Sequence, residues 1–515
     1  MGPLSHAVSV HEEQTPPLDI EHVLVHDDPR QWSAKRKTFT LAVVASAALI
    51  ATLGINIYNP AINDVKAQLH ATDQDISLSL SIFILVQGTT PTFWSSISEI
   101  QGRKLVYIVS ISLYLVGCGV AGSANSIGLL IAMRIVQAMG GSAVLTIGAA
   151  TLADIYEPRE RGTIVGIYYA APLLGPSIGP LIGGVATQLF SWRATFFFLV
   201  IFAGVSLVTF VFFKDTFRRE RSLSYQSALR QATREREEKL RAKEEARRHV
   251  SKNEKHEEAA AGLPADIEAH PEEPTLADIR LSLRDINPIG PLGTVLKRLN
   301  NLAILFPSSM LFGFTYCMTY TAVRTFAAAP YFYGSLDIGL VLLSFGIGSM
   351  AGSILGGRWS DRLLRKLKDN NGGKVPSEER LRSTIPMMFV LSPALVAYAW
   401  MAEEKVNIGA ICVVLFLVGF SSIWIYSSTL AYIVDANVGR SSTAVATNSL
   451  FRGFTGFVAA EVAVPLQDAL GDGGLYTLWA GIMVIASMFV LLTMKKGAHW
   501  REIAEEREKR QREKS

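Results

Sequence analysis

From Thr38 onward, apolar residues fill the chain in long runs, and polar residues collect between and beyond them. Runs of about 20 apolar residues match the roughly 30 Å hydrocarbon core of a bilayer. The pattern predicts twelve helical spans, at 38–58, 76–97, 105–123, 127–151, 163–187, 194–213, 302–323, 337–356, 383–401, 407–432, 442–465 and 474–494. The second and eighth carry the weakest hydropathy, because Ser, Thr and Gly dilute them. The organisation expected is a tail at 1–35, six helices over 36–213, a hydrophilic block at 214–300, six more helices over 301–494 and a tail at 495–515. The fold class is an all-α polytopic membrane protein.

One run breaks the rules of a soluble helix. "LLGPSIGPLIGG", Leu173 to Gly184, holds four glycines and two prolines. In water each interior Gly costs roughly 1 kcal/mol and each Pro about 3. In lipid, neighbouring helices re-satisfy the backbone groups that Pro frees, and small residues let helices approach closely. Gly175, Gly179 and Gly183 recur at i, i+4 and i+8 and form one smooth face, with Pro176 and Pro180 on an adjacent stripe and Gly184 beside it. Two readings follow: a pliable, sealed wall on the outer side of a transport cavity, or plain small-residue packing.

Charge then fixes an orientation. The chain has 515 residues, 49% of them hydrophobic, and a formal net charge of +4. Arg103, Lys104, Arg159, Arg161, Arg358, Arg362, Arg365, Lys366, Lys368 and Arg440 fall in loops on one side, with Lys35 to Lys37, Lys495 and Lys496 flanking the membrane there. The other side keeps only Lys66, Arg193, Arg324 and Lys405 in its short loops. By the positive-inside rule both termini and the central block are expected in the cytoplasm. The net charge is thus a topology signal and gives no reason to invoke nucleic acid. No cleavable signal peptide is expected, since some 35 hydrophilic residues precede the first run, which is too long for a leader. Cys118, Cys317 and Cys412 lie inside spans and suit neither a disulfide framework nor a metal site. Thr233 to Glu258 carries mixed charges suited to a solvated helix, and "AAAGLPADIEAHPEEP" after it reads as disordered. The block reads as a tether between halves, with regulation as the other possibility.

The two halves repeat each other. "SEIQGRK" from Ser98 follows the second span and "SDRLLRK" from Ser360 follows the eighth. "TLADIYEPRERG" from Thr151 and "TLAYIVDANVGR" from Thr429 end the fourth and tenth. Elements in register at equivalent places imply a six-plus-six duplication. Glu99, Gly102, Arg103 and Lys104 in the first loop, and Asp361 and Arg365 in the second, are candidates for a conformational latch bridging the halves in one state. As simple positive-inside anchors the basic residues need no acid; Glu99 and Asp361 carry the latch reading.

Polar residues inside spans supply the remaining candidates. Arg134 lies well within the fourth span with Gln137 one turn on. A charge at that depth costs about 2.5–3.5 kcal/mol on insertion scales and must face protein or water. It reads as a substrate- or proton-linked group, or as a structural arginine bonded to carbonyls. Asn448 and Arg452 share a face of the eleventh span. Two cations with few intramembrane acids make an electropositive cavity and point to an anionic small-molecule substrate. Glu461, near the outer end of the eleventh span, is the candidate proton carrier, or else a partner of Arg324. Asp154 and Asp435 read as helix-end partners of Arg161 and Arg440. Tyr316, Tyr320, Trp424, Tyr426, Tyr168, Tyr169 and Gln87 are lining candidates, as polar handles on apolar walls suit amphiphilic ligands. Enzyme readings lack support: the sequence has no GxxxxGK[ST] loop and no HExxH. No cofactor is expected.

Several of these motifs resemble the major facilitator superfamily. "SEIQGRK" and "SDRLLRK" are similar to its loop signature, with Glu99 where Asp is usual. "RIVQAMGG" from Arg134 resembles its fourth-span motif, with Ala138 in place of Gly. "GPSIGPLIGG" resembles the fifth-span signature of its antiporters. "NIYNPAI", "NSLFRG", "GAHWR" and the long central loop resemble the fungal twelve-span drug:proton antiporters, over about Arg36 to Arg501. The resemblance implies two six-helix bundles around a central cavity, alternating access, and proton-driven export of drugs, organic acids, polyamines or secondary metabolites across a plasma membrane. Such antiporters often carry an Asp in the first span; here Asn56 and Asn59 stand in that neighbourhood, and Asn56 joins the substrate-binding candidates. An importer or uniporter of the same fold, and a non-transporting receptor or scaffold signalling through the central block, are the alternatives.

Overall fold

The computed structural model describes residues 27–157, 174–254, 290–370, 376–437 and 441–512, with isolated positions at 25, 164, 167–168, 171–172, 275–276, 278–279 and 281. The fold is all-α. Among the described residues, ten helices are long and apolar enough to cross a membrane. A shorter apolar helix, Gly175–Leu189, is the described part of the fifth span. One of the ten, Ser441–Arg512, is interrupted at Gly471, where φ is +69°, and so contains two spans. That recovers the predicted twelve.

The first span is Ala34–Asn56. The second is two helices, Asp73–Thr89 and Pro91–Gln101, divided because Pro91 cannot continue the hydrogen-bond ladder. The third is Arg103–Gly122, the fourth Ile127–Ile155 and the sixth Trp192–Val211. The seventh to tenth are Leu299–Ala327, Ser335–Asn370, Ile385–Glu403 and Ile408–Ala436. Local chemistry sets several starts. Thr72 and Asp75 form a reciprocal capping box at the second span, Ser126 caps the fourth, and Asn407 accepts from the Gly409 amide to cap the tenth.

Two helices run further than hydropathy predicted. The eighth span continues to Asn370, so "SDRLLRK" is helix and not the loop expected from its likeness to "SEIQGRK". The reason is local. The first copy breaks at Gly102, whose φ of +88° favours glycine, whereas Leu363 and Leu364 in the second copy are strong helix formers. The last helix likewise runs past the twelfth span to Arg512 on a charged sequence.

The central block forms a long polar helix, Leu223–Glu254, as its charge pattern predicts. Just before it, Arg221 grips the Asp28 carboxylate with two bonds of 2.7 and 2.6 Å, and Arg218 pairs with Asp27 at 3.1 Å. The "AAAGLPADIEAHPEEP" stretch lies outside the described residues.

The face where the chain enters at Ala34 is called the tail face below, and the opposite one the far face. In the second half, the helix after the twelfth span is tied down at the tail face. Arg298 holds Glu508 bidentately at 2.9 and 3.1 Å, and Arg501 reaches the buried Glu378 at 3.5 Å.

Candidate functional site

The glycine stripe of the fifth span meets the first span at backbone range. A Cβ at Gly175 would lie 2.5 Å from Thr52 Cβ, one at Gly179 would lie 2.8 Å from Asn56 Cβ, and one at Gly183 would run into the Ile57 carbonyl. Gly184 turns instead to the eighth span, where a Cβ would lie 2.8 Å from Leu336 Cα. Gly339 returns the contact against Pro180 and Leu181. The motif is therefore wedged between the first span and the eighth, and it joins the two halves. Pro176 stands in its first turn, where a missing amide costs no bond, and Pro180 lies inside the helix.

A second seam joins the second and eleventh spans. Gly88 and Gly453 face each other so closely that a Cβ on either would lie 2.5 to 2.7 Å from the other's Cα. Nearer the far face, Ser77 donates to the Ala460 carbonyl at 2.8 Å, and the Ser81 hydroxyl donates to the Glu461 carboxylate in a short bond. Tyr320 of the seventh span adds a 3.4 Å bond to the Asp73 carbonyl. These contacts join the two halves toward the far face.

Arg134 has no exposed surface. It donates to the Gly54 carbonyl at 2.9 Å, to Ser79 at 3.5 Å and to the Gln137 amide oxygen at 3.5 Å. Its guanidinium lies over Phe83 and Tyr58, at 4.3 and 4.7 Å from the ring centroids. Its second terminal nitrogen, Nη2, is buried and has no partner among the described residues. Gln137 in turn donates to the Tyr114 hydroxyl at 3.4 Å.

Arg452 is only half-buried. It donates to the Tyr426 hydroxyl at 2.7 Å and lies over Phe312 at 4.0 Å. One turn before it, Asn448 accepts from Ser308 at 2.7 Å; its Nδ2 and Arg452 Nε are buried with no partner among the described residues. Tyr316 connects the two arginines. Its ring packs edge-on to Phe312 at 4.7 Å, and it also packs against Phe83, Ile55 and Ala138.

The other candidates sit elsewhere. Asn56 is buried in the stripe seam and donates to Thr52 of its own helix at 2.8 Å. Gln87 bonds the Ala51 carbonyl at 3.1 Å, tying the second span to the first. Trp424 donates to the Ser383 carbonyl at 2.9 Å and packs with Phe420 and Trp359, inside the second half. Tyr168 donates to Val144 and Leu145, which is packing; Tyr169 lies outside the described residues. Of the two readings of Glu461, the pairing with Arg324 is not seen among the described residues: Arg324 donates to Gln467 and Asp468, at 2.9 and 3.0 Å.

The latch residues find partners within their own halves. Arg103 pairs with Asp154 at 3.2 Å and donates to Ser98 at 2.6 Å, while its backbone amide bonds Asp215 at 3.1 Å. Glu99 lies within the electrostatic reach of Arg103. Lys104 reaches the Val211 carbonyl at 2.7 Å. A Cβ at Gly102 would strike the Asp215 carboxylate. In the second half Asp361 pairs with Arg380 at 3.2 Å, and Arg380 also pairs with Asp435 at 2.9 Å, while Arg365 is exposed. The repeat is thus Arg103–Asp154 against Arg380–Asp435, with Arg380 in the place expected of Arg365. Arg161 and Arg440, the expected partners of Asp154 and Asp435, lie outside the described residues. Ser81, Phe83, Ser308 and Phe312 also escaped sequence reasoning, since Ser and Phe are ordinary in any apolar helix.

Comparison with known proteins places this geometry. The pattern described as Major Facilitator Superfamily matches residues 44–460. The chain is 27% identical over 573 residues to the MFS antiporter QDR3 of Candida albicans, covering 93% of this chain and 80% of that protein. It is 28% identical over 529 residues to citrate exporter 1 of Aspergillus niger, covering 98% and 93%. Among solved structures, the D-xylose-proton symporter superposes with a TM-score of 0.60 at 10% identity, over 88% of this chain and 97% of that one.

Proposed function

The chain belongs to the major facilitator superfamily of membrane transporters, and from that premise we propose that it is a proton-coupled exporter of small organic anions. It works by alternating access in a plasma membrane, with the tail face toward the cytoplasm. One observation carries the anionic reading. Arg134 Nη2, Arg452 Nε and Asn448 Nδ2 are all buried donors, and none has a partner among the described residues. Buried donors left unpaired cost free energy until an acceptor arrives, and carboxylate oxygens answer charged donors best. The name of the citrate exporter among the relatives agrees with such a substrate.

Aromatic walls also suit lipophilic cations. Here Phe312 and Tyr426 each already carry the Arg452 guanidinium over the ring, and its positive charge repels a second cation there. Closure at the far face supports loading from the tail face, as export requires. Glu461, bonded to Ser81 across the seam, is the group we assign to the proton: breaking the seam exposes it to the side from which protons enter.

The test is a flux screen in proteoliposomes, comparing organic acids with tetraphenylphosphonium, with and without a pH gradient. Organic acids are expected to move against an inward flow of protons. Transport of the phosphonium with none of the acids would overturn the reading. Glu461→Gln is expected to lose gradient-driven flux while keeping exchange of substrate for substrate; unchanged gradient-driven flux removes Glu461 from the coupling.

A further inference from the structure

Resting on the alternating access proposed above, we infer that Asp472 is a second proton-binding site, separate from Glu461, which takes its proton from the far face and sets how firmly the seventh and eleventh spans hold the seam between the halves.

Asp472 follows the Gly471 break, in the turn between the eleventh and twelfth spans, and is half-buried. Gln467 donates to its Oδ1 at 2.7 Å, and Thr325 of the seventh span donates to its Oδ2 at 2.8 Å. The Gln467 amide oxygen is the one that accepts from Arg324, whose other terminal nitrogen meets Asp468. From the end of the ninth span, Glu403 accepts from the Gly473 amide at 3.0 Å. The Tyr398 hydroxyl lies within electrostatic reach of Asp472, fully buried and with no hydrogen-bond partner among the described residues. Its ring packs on that of Tyr476 at 4.7 Å, and the Tyr476 hydroxyl shares a 2.6 Å bond with Thr321. Cys317 and Tyr331 stand behind these two tyrosines.

The pocket suits both forms of the carboxyl. A hydroxyl can donate to a charged carboxylate or accept from a protonated one. Thr325 already has the Thr321 carbonyl at 3.1 Å as a second acceptor, so it can reverse its bond to Asp472 and leave no donor unspent. Burial raises the Asp472 carboxyl above the usual carboxylate range, against the bonds from Gln467 and Thr325 and the charge of Arg324, and the Glu403 charge adds to the rise. Falling pH therefore protonates Asp472 before it protonates an exposed aspartate. All these groups belong to the second half and lie at its far-face end, so the site meets the far-face pH in either conformation, unlike Glu461, which is engaged in the seam.

Charge-assisted hydrogen bonds are roughly twice as strong as neutral ones. Protonation thus weakens the tie between the seventh span and the outer end of the eleventh. That end depends on the tie, because Pro465 has no amide to offer the Glu461 carbonyl and interrupts the ladder of its helix. Arg324 stands one turn past Tyr320, which bonds the Asp73 carbonyl, and Gln467 stands six residues, about 9 Å, past Glu461. Loosening the tie frees the second-half side of the seam, so acid at the far face favours opening.

The experiment reads a far-face distance between nitroxides on Ala67→Cys and Phe332→Cys of the full-length chain carrying Cys412→Ser; both labelled positions are exposed, and Cys118 and Cys317 are buried. The share of the longer distance is expected to rise by about three-fold or more as pH falls, the size of a partly lost bond to a charged group. The rise is expected to persist in Glu461→Gln. With Asp472→Asn added, the share is expected to stay at its acid level at every pH. A rise that vanishes in Glu461→Gln alone, or survives Asp472→Asn, overturns the second site. Where Asp472→Asn does not insert, two neighbours decide: Thr325→Val is expected to move the midpoint of the rise to higher pH and Glu403→Gln to lower pH. A midpoint that ignores both, or moves the same way in both, overturns the proton on Asp472. A single distance at every pH in every chain is the separate result that sinks alternating access and the switch with it.

Discussion

At the scale of residues, a guanidinium inside a membrane protein is defined by what it has not bonded. Arg134 uses part of its donor fork on carbonyls and Arg452 part of its own on the Tyr426 hydroxyl, and among the described residues each keeps one nitrogen unmet. The neighbouring polar groups divide on this criterion. Tyr426 accepts from Arg452, so Tyr426→Phe is expected to raise the KM for an anionic substrate by about three- to ten-fold, the worth of one hydrogen bond to a charged group. Asn56 and Trp424 spend their donors on the backbone of the protein. Asn56→Ala and Trp424→Phe are therefore expected to leave KM within about two-fold, whatever they do to stability. Flux kinetics on the three variants check the division. Arg134, Gln137, Asn448 and Arg452 were legible in the sequence because charged and amide side chains are expensive inside an apolar run. Their surroundings were not. Phe83 and Phe312 gain meaning only from a cation placed over them by residues more than forty positions away, and no local pattern announces that.

At the scale of elements, one glycine separates two copies of the same motif. Gly102 turns the chain between the second and third spans, while the eighth span runs straight through "SDRLLRK". The basic residue that meets the acid at the end of the fourth span is Arg103, but in the second half that work passes to Arg380, just before the ninth. Arg380→Gln is accordingly expected to lower the thermal midpoint by a few degrees, roughly 1 kcal/mol for a well-placed ion pair, and Arg365→Gln to leave it unchanged. A differential melt of the two variants settles which arginine matters. The register of the repeat was readable from matching letters; the fate of each copy depended on a positive φ that only one copy has the residue to adopt. The fifth-span stripe was legible down to its face, since its spacing alone puts Gly175, Gly179 and Gly183 in line. Which helix it meets was not. With the first span at backbone contact, Gly179→Leu is expected to abolish flux while membrane insertion, assayed by surface labelling, is retained.

At the scale of the whole molecule, the hydropathy pattern alone delivered twelve spans, because a bilayer imposes nearly the same length on each. Where the halves touch could not be read that way: Ser77 with Ala460 and Gly184 with Leu336 are pairs that no periodicity links. The sidedness expected from Lys and Arg is open to direct test. A thiol reagent that cannot cross the bilayer is expected to label Lys239→Cys and Lys496→Cys from one side and Lys405→Cys from the other. Labelling of Lys239→Cys from the side of Lys405→Cys would dismantle the two-half arrangement.

Under the alternating access proposed above, the meeting of Gly88 with Gly453 has a consequence for how fast the halves separate. Two bare backbones in contact have no rotamers to freeze when they close and none to recover when they part. The switch then pays almost nothing in side-chain entropy at its tightest point, and its speed is set by dispersion forces and by the few polar bonds nearer the far face.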